Sequence, residues 1–156
     1  MAENRGKQFE SKFKADFLKS SEVSLDRLYD PTGLYMGIRN ICDYIGYHYP
    51  NIFYIELKSS HGNTWPFSAY SQFDKMLPKV GIKGVRVGVV LWMIDHNKVI
   101  YLPTRTIATM KAENKKSFNI KDLATGDYRI LEIPSKKKRV FMDSDYSVMF
   151  NLEEGD

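Results

Sequence analysis

Phe9, Phe13 and Phe17 recur at every fourth position, with Leu18 beside the last and Lys and Glu on the other faces. This spacing predicts an amphipathic helix over residues 5–20. Residues 23–28 alternate loosely and predict a strand. Asp30-Pro31-Thr32-Gly33 is a turn signal, and residues 34–40 have no clear period. Residues 41–49 are rich in aromatic and β-branched side chains and predict a strand, Pro50-Asn51 a turn, and residues 52–59 the next strand. Residues 61–64 read as a loop. A helix is expected over residues 68–77, with Ser68 near its N-cap and Pro78 beyond its end. Residues 85–94 are almost continuously apolar, which predicts a strand buried on both faces. A turn at 95–97 and a short strand at 99–102 follow. Residues 104–111 read as helical, and residues 120–123 as a helical turn. Residues 128–133 and 139–142 flank 134–138 and predict a late hairpin with a basic tip. The acidic end after Asp143 is expected to fray. With no internal repeat and no low-complexity linker, the pattern predicts one α/β domain over residues 1–156, a mixed central β-sheet flanked by helices.

Composition narrows the function classes. A chain of 156 residues is long enough for one domain with a real core. The formal net charge of +4 fits a polyanionic partner, and equally a solvated basic face. The single cysteine, Cys42, excludes an intrachain disulfide and a cysteine-based zinc site. No segment is long and apolar enough to span a membrane, and no signal-peptide core follows the N-terminus. A cytoplasmic protein with no membrane partner is expected.

The chemistry concentrates in residues 43–58. Asp43 precedes one strand, and Glu56-Leu57-Lys58 lies on the next. Two carboxylates brought together across a hairpin can hold a divalent ion, and a lysine two residues after the glutamate shares its strand face. Phosphodiester hydrolysis needs charge neutralisation and an activated water, which Mg²⁺ or Mn²⁺ on one or two carboxylates supplies. Asp43 and Glu56 are the candidate ligands, the Leu57 carbonyl a further one, and Lys58 a group to orient water or stabilise developing charge. A solvated sheet face is the plain alternative. Glu10 opens the first helix on the same side as Lys14, and Gln72 on the helix after Trp65-Pro66-Phe67 can hydrogen-bond water or a phosphate oxygen. His48, His61 and His96 lack metal-ligand spacing. Lys136-Lys137-Lys138 serves either as a phosphate grip or as a solubilising tip. Trp65 and Trp92 sit in apolar surroundings and are expected in the core.

Three blocks together resemble the RecU-like Holliday junction resolvases of the PD-(D/E)xK nuclease superfamily. They are Asn4-Arg5-Gly6 with Phe9-Glu10; Asp43 followed by Glu56-Leu57-Lys58; and Pro66-Phe67 followed by Gln72-Phe73-Asp74-Lys75-Met76. The similarity covers roughly residues 4–105. It implies a restriction-endonuclease-like core and a structure-selective endonuclease that resolves four-way DNA junctions by paired symmetric nicks. Asp43 and Glu56 would bind Mg²⁺ or Mn²⁺, Lys58 would be the catalytic lysine, and Gln72 would assist. Glu10 would be a secondary acidic group near the metal, and Arg5 and Lys7 would lie near the DNA backbone. The family acts as a homodimer, which suits a two-fold substrate. Two departures stand out. The family's protruding arm is short here, roughly residues 29–41, where Arg39 joins Leu34, Tyr35, Met36 and Ile38 in a stubby apolar and basic arm. Cys42 also precedes Asp43 where the superfamily name implies proline. The compact size suits a phage-encoded version, which would act in the bacterial host cytoplasm. Another PD-(D/E)xK nicking or restriction-type nuclease, and a non-catalytic DNA-binding module, remain open.

Overall fold

The structure, a computed structural model, describes residues 5–29 and 40–156. The expected turn at 30–33 and most of the stubby arm, Arg39 included, lie outside them. The phenylalanine spacing does produce a helix, α1 (Arg5–Phe17). It buries Phe9, Phe13 and Phe17 and leaves Arg5, Lys7 and Lys14 in solvent. The chain continues through β1 (Val23–Arg27), β2 (Tyr44–His48), β3 (Asn51–Ser60) and β4 (Thr64–Pro66) to α2 (Phe73–Met76). After these come β5 (Val85–Met93), β6 (Lys98–Pro103), α3 (Thr104–Ala112), β7 (Ser117–Asn119) and α4 (Lys121–Thr125). Three short strands complete it: β8 (Leu131–Ile133), β9 (Ser135–Lys137) and β10 (Met142–Ser144).

Six strands form a mixed sheet in the order β1-β2-β3-β5-β6-β8. Only β3 and β5 run parallel; the other neighbours are antiparallel. A parallel pair needs a crossover, and this one carries β4 and α2 across one face. On the opposite face α1 packs Phe13 and Phe17 against Tyr44 and Phe53. The strand β5 is apolar almost throughout because both its faces are covered. Val90 and Trp92 join the α1 side, and Val89 and Leu91 join Met76 and Ile107 on the other. Trp65 and Trp92 are both core residues, as expected. Side-chain alternation along β3 then sorts the site: Phe53, Ile55 and Leu57 face α1, while Tyr54, Glu56 and Lys58 face α2.

Four expectations are corrected. Residues 68–77 are not one helix. A helical turn at Phe67–Ala69 breaks at Tyr70 before the single turn of α2, and Ser68 caps nothing. The reason lies in the spacing: Phe67, Tyr70, Phe73 and Met76 are all buried and recur every third residue, which suits tight turns better than a 3.6-residue helix. The Tyr70 hydroxyl also shares a 2.9 Å hydrogen bond with Thr104 Oγ1 and pins the break to α3. The loop at 61–64 runs into β4, which pairs with β7 and buries Trp65 opposite Phe118. Three-residue strands are too short to show alternation.

The late hairpin is shifted. β8 joins the main sheet beside β6, and the hairpin is β9 with β10. Lys136 and Lys137 therefore lie along a strand, with the turn between Lys138 and Phe141. The C-terminal segment is docked rather than frayed. Tyr146, Met149 and Leu152 enter the core. The buried Asp156 carboxylate takes Arg105 at 3.2 Å and Arg129 at 2.9 Å, and its backbone oxygen accepts from Tyr101 Oη at 2.7 Å. Partners that far away in the chain neutralise what reads locally as an acidic tail.

One packing detail has a measurable consequence. A Cβ on Gly88 would meet Tyr101 Cζ at 2.6 Å, in the middle of β5, with Tyr101 fully buried on β6. Gly88→Ala is expected to destabilise the protein by about 3 kcal/mol, read as a shifted urea midpoint with an unchanged slope.

Candidate active site

The β2–β3 register sets Tyr44 opposite Ile55, which brings Asp43, one residue before β2, beside Glu56. Asp43 is held from several sides. Its N–H donates to the Ile55 carbonyl at 3.2 Å, and its carbonyl accepts from Leu28 N at 2.8 Å and Arg27 Nη1 at 3.1 Å. Its Oδ2 accepts the Leu57 N–H at 2.8 Å, and its Oδ1 lies 3.6 Å from Arg27 Nη1. Glu56 is 7% exposed. Its Oε1 lies 3.6 Å from Lys58 Nζ, and its Oε2 is buried with no hydrogen-bond partner.

A cavity of about 210 Å³ on the α2 side is walled by Cys42, Asp43, Glu56, Lys58, Ser71 and Gln72. A second hollow of about 230 Å³ is walled by Glu10, Arg27, Asp43, Leu57 and Lys58. Asp43 and Lys58 thus belong to both. Burial, and then the neighbouring Asp43 charge, pushes the Glu56 carboxyl up to about 8, with Lys58 opposing. Burial likewise pushes the Cys42 thiol up to about 12, so it is no nucleophile at neutral pH. Its Sγ lies 3.1 Å from the Tyr44 carbonyl.

These residues fit a hard divalent cation. Two carboxylates face one small polar cavity, and the orphaned Glu56 Oε2 is the kind of buried acceptor that a cation would satisfy. Among the described residues no three His, Cys, Asp or Glu side chains converge on one point.

The sequence-predicted residues divide into those drawn together and those set apart. Asp43, Glu56, Lys58 and Gln72 share one cavity, and Leu57 lines the other beside Asp43. Glu10 reaches the second hollow, but its Oε1 is engaged by Arg27 Nε and accepts from Tyr44 Oη at 3.1 Å. Arg27 thus stands between Glu10 and Asp43. Arg5 and Lys7 are exposed on the first turn of α1. Lys136, Lys137 and Lys138 are exposed on the β9–β10 hairpin, whose β10 packs on α1, on the face away from α2. Sequence reasoning missed Arg27. It sits on a strand the pattern predicted, but nothing local ties it to Glu10, 17 residues earlier, or to Asp43, 16 residues later.

The sheet order, the single parallel pair and the carboxylates beside the β2–β3 hairpin define a restriction-endonuclease-like α/β fold. Among solved structures, the chain is similar to Hjc from Archaeoglobus fulgidus, a Holliday junction resolvase from an archaeal hyperthermophile. The TM-score is 0.50 at 16% identity, over 65% of this chain and 78% of that one. At that identity the likeness establishes the fold. No family model matches the chain, and no curated protein matches it in sequence. No helix among the described residues is long and apolar enough to cross a membrane.

Proposed function

We propose that this chain is a metal-dependent endonuclease of the RecU-like kind that resolves four-way DNA junctions as a homodimer. The observation that carries the reading is the pair Asp43 and Glu56 in one cavity with Lys58, one Glu56 oxygen buried and unpartnered, on a fold shared with a resolvase. Asp43, Glu56 and the Leu57 carbonyl would hold Mg²⁺ or Mn²⁺, which when bound supplies charge neutralisation at the scissile phosphate and lowers the pKa of a water. Lys58 places a positive charge where the phosphate becomes more negative. Gln72, which lines the same cavity, would orient the attacking water or a phosphate oxygen. Arg27 and Glu10 are positioning residues: the guanidinium fixes the Asp43 backbone and faces its carboxylate, and Glu10 fixes the guanidinium. Two such sites related by a two-fold axis would nick opposed strands.

The test is cleavage of an immobile four-way junction beside a matched linear duplex, with and without Mg²⁺. Paired symmetric nicks near the branch point, seen only with metal, are expected. Equal cutting of the duplex would replace junction resolution with general endonuclease activity. Tight junction binding without cutting in Mg²⁺ or Mn²⁺ would reduce the chain to a binding module.

A further inference from the structure

Beyond the cutting site lies a groove of about 690 Å³, built from the helical turn at 67–69, α2 and the end of α3. It shares Ser71 with the candidate metal-binding cavity, so the two are neighbours on the α2 face of the sheet. Three lysines rim it: Lys111, Lys115 and Lys116, against one acidic side chain, Asp74. Lys115 is partly compensated by Asp122 at 2.8 Å. Lys111 and Lys116 form no ion pair among the described residues, and both are exposed.

Defined secondary structure, rather than loose side chains, places this rim. The β4–β7 register buries Trp65 opposite Phe118 and sets Pro66 opposite Ser117. The Phe67 N–H then donates to the Lys116 carbonyl at 3.0 Å, which locks the lysine's backbone to the groove wall. Lys111 Nζ stands 4.0 Å from the centre of the Phe73 ring, which holds its charge over the groove. The aromatic floor, Phe67, Tyr70 and Phe73, is at most 9% exposed. It is therefore too buried to stack a base, and what the groove offers a ligand is positive charge along an apolar wall.

We infer that this groove seats the sugar–phosphate backbone of the DNA strand running on from the scissile phosphate, and that it reads charge and spacing rather than sequence. The inference rests on the nuclease reading above and adds which surface carries the arm of the substrate. It assigns that role to Lys111 and Lys116 in preference to Lys136 and Lys137, which share neither a face nor a wall with Glu56.

The experiment compares Lys111→Glu/Lys116→Glu with Lys136→Glu/Lys137→Glu, which change net charge equally. Affinity for a four-way junction is measured by fluorescence anisotropy without divalent metal, over a range of salt. The groove variant is expected to bind at least about 10-fold more weakly near 100 mM salt. Its log–log salt slope should be shallower by about 1.8, the loss of two phosphate contacts. Single-turnover cleavage at saturating protein should stay near wild type, because the cutting residues are untouched. The hairpin variant should keep most of the wild-type affinity and slope. Unchanged binding in the groove variant, or an equal loss in both, would overturn the inference while leaving the nuclease reading intact. Failure of the wild-type protein to bind or cut DNA would remove both.

Discussion

Glu56→Gln is expected to lower junction cleavage by about 10³-fold or more and, in the same protein, to raise stability at pH 8. The two effects have one cause. Glu56 is a carboxylate held in a buried cavity beside a second carboxylate, with one oxygen unpartnered. Its folded pKa of about 8 lies above the ordinary 4.5, so the folded protein binds the proton more tightly than the unfolded chain does. The group's effect on stability is therefore most favourable below about pH 4.5, declines as the pH rises toward 8, and is constant above that. Glutamine has no charge to desolvate, so the variant should gain on the order of a few kcal/mol at pH 8 and lose that part of the pH dependence. Thermal melts of both proteins from pH 5 to 9 measure it. Adding Mg²⁺ should raise the wild-type melting temperature at pH 8 and leave the variant's nearly unchanged, since ligand binding to the folded state alone is stabilising. A variant that is less stable than wild type at pH 8 would mean that Glu56 is a satisfied structural acid.

Asp16→Ala is expected to destabilise the protein by about 3–4 kcal/mol, as much as many core truncations although it removes only a polar side chain. The Asp16 side chain is 1% exposed and lies 2.8 Å from Lys12 and 3.0 Å from Lys19. Its second oxygen accepts the buried Ser144 N–H at 3.0 Å and so ties α1 to β10. Alanine strands that amide and leaves two lysines facing Asp143 alone. Asp16→Asn keeps an acceptor for Ser144 and should lose roughly half as much. Urea unfolding of the two variants separates the terms; equal losses would show that the charge carries the whole contribution and the Ser144 bond little of it.

The parts of the molecule legible in the sequence are those whose signal is local and repeated. The four-residue phenylalanine spacing gives α1, the unbroken apolar run gives β5 as a doubly covered strand, and the Asp43 and Glu56-x-Lys58 spacing brings those three side chains together across a hairpin. Gln72 also falls in that cavity, although the helix expected around it is only one turn. Where the signal was misread, a contact far away in the chain takes part. Tyr70 breaks the helix at 68–77 toward Thr104, 34 residues on, and β4 exists because β7 pairs with it. The acidic end is ordered by Arg105 and Arg129.

The same division runs through the chemistry. Which side chains can bind a cation or stabilise a phosphate follows from residue type and strand period, and those are properties of the chain itself. Whether Glu56 is buried enough to hold its proton near pH 8 depends on the distant residues that wall its cavity, Cys42, Ser71 and Gln72 among them. Whether Glu10 meets an arginine depends on β1 laying Arg27 between Glu10 and Asp43. Burial and charge pairing are sums over neighbours that only the folded chain assembles, so no local pattern can carry them.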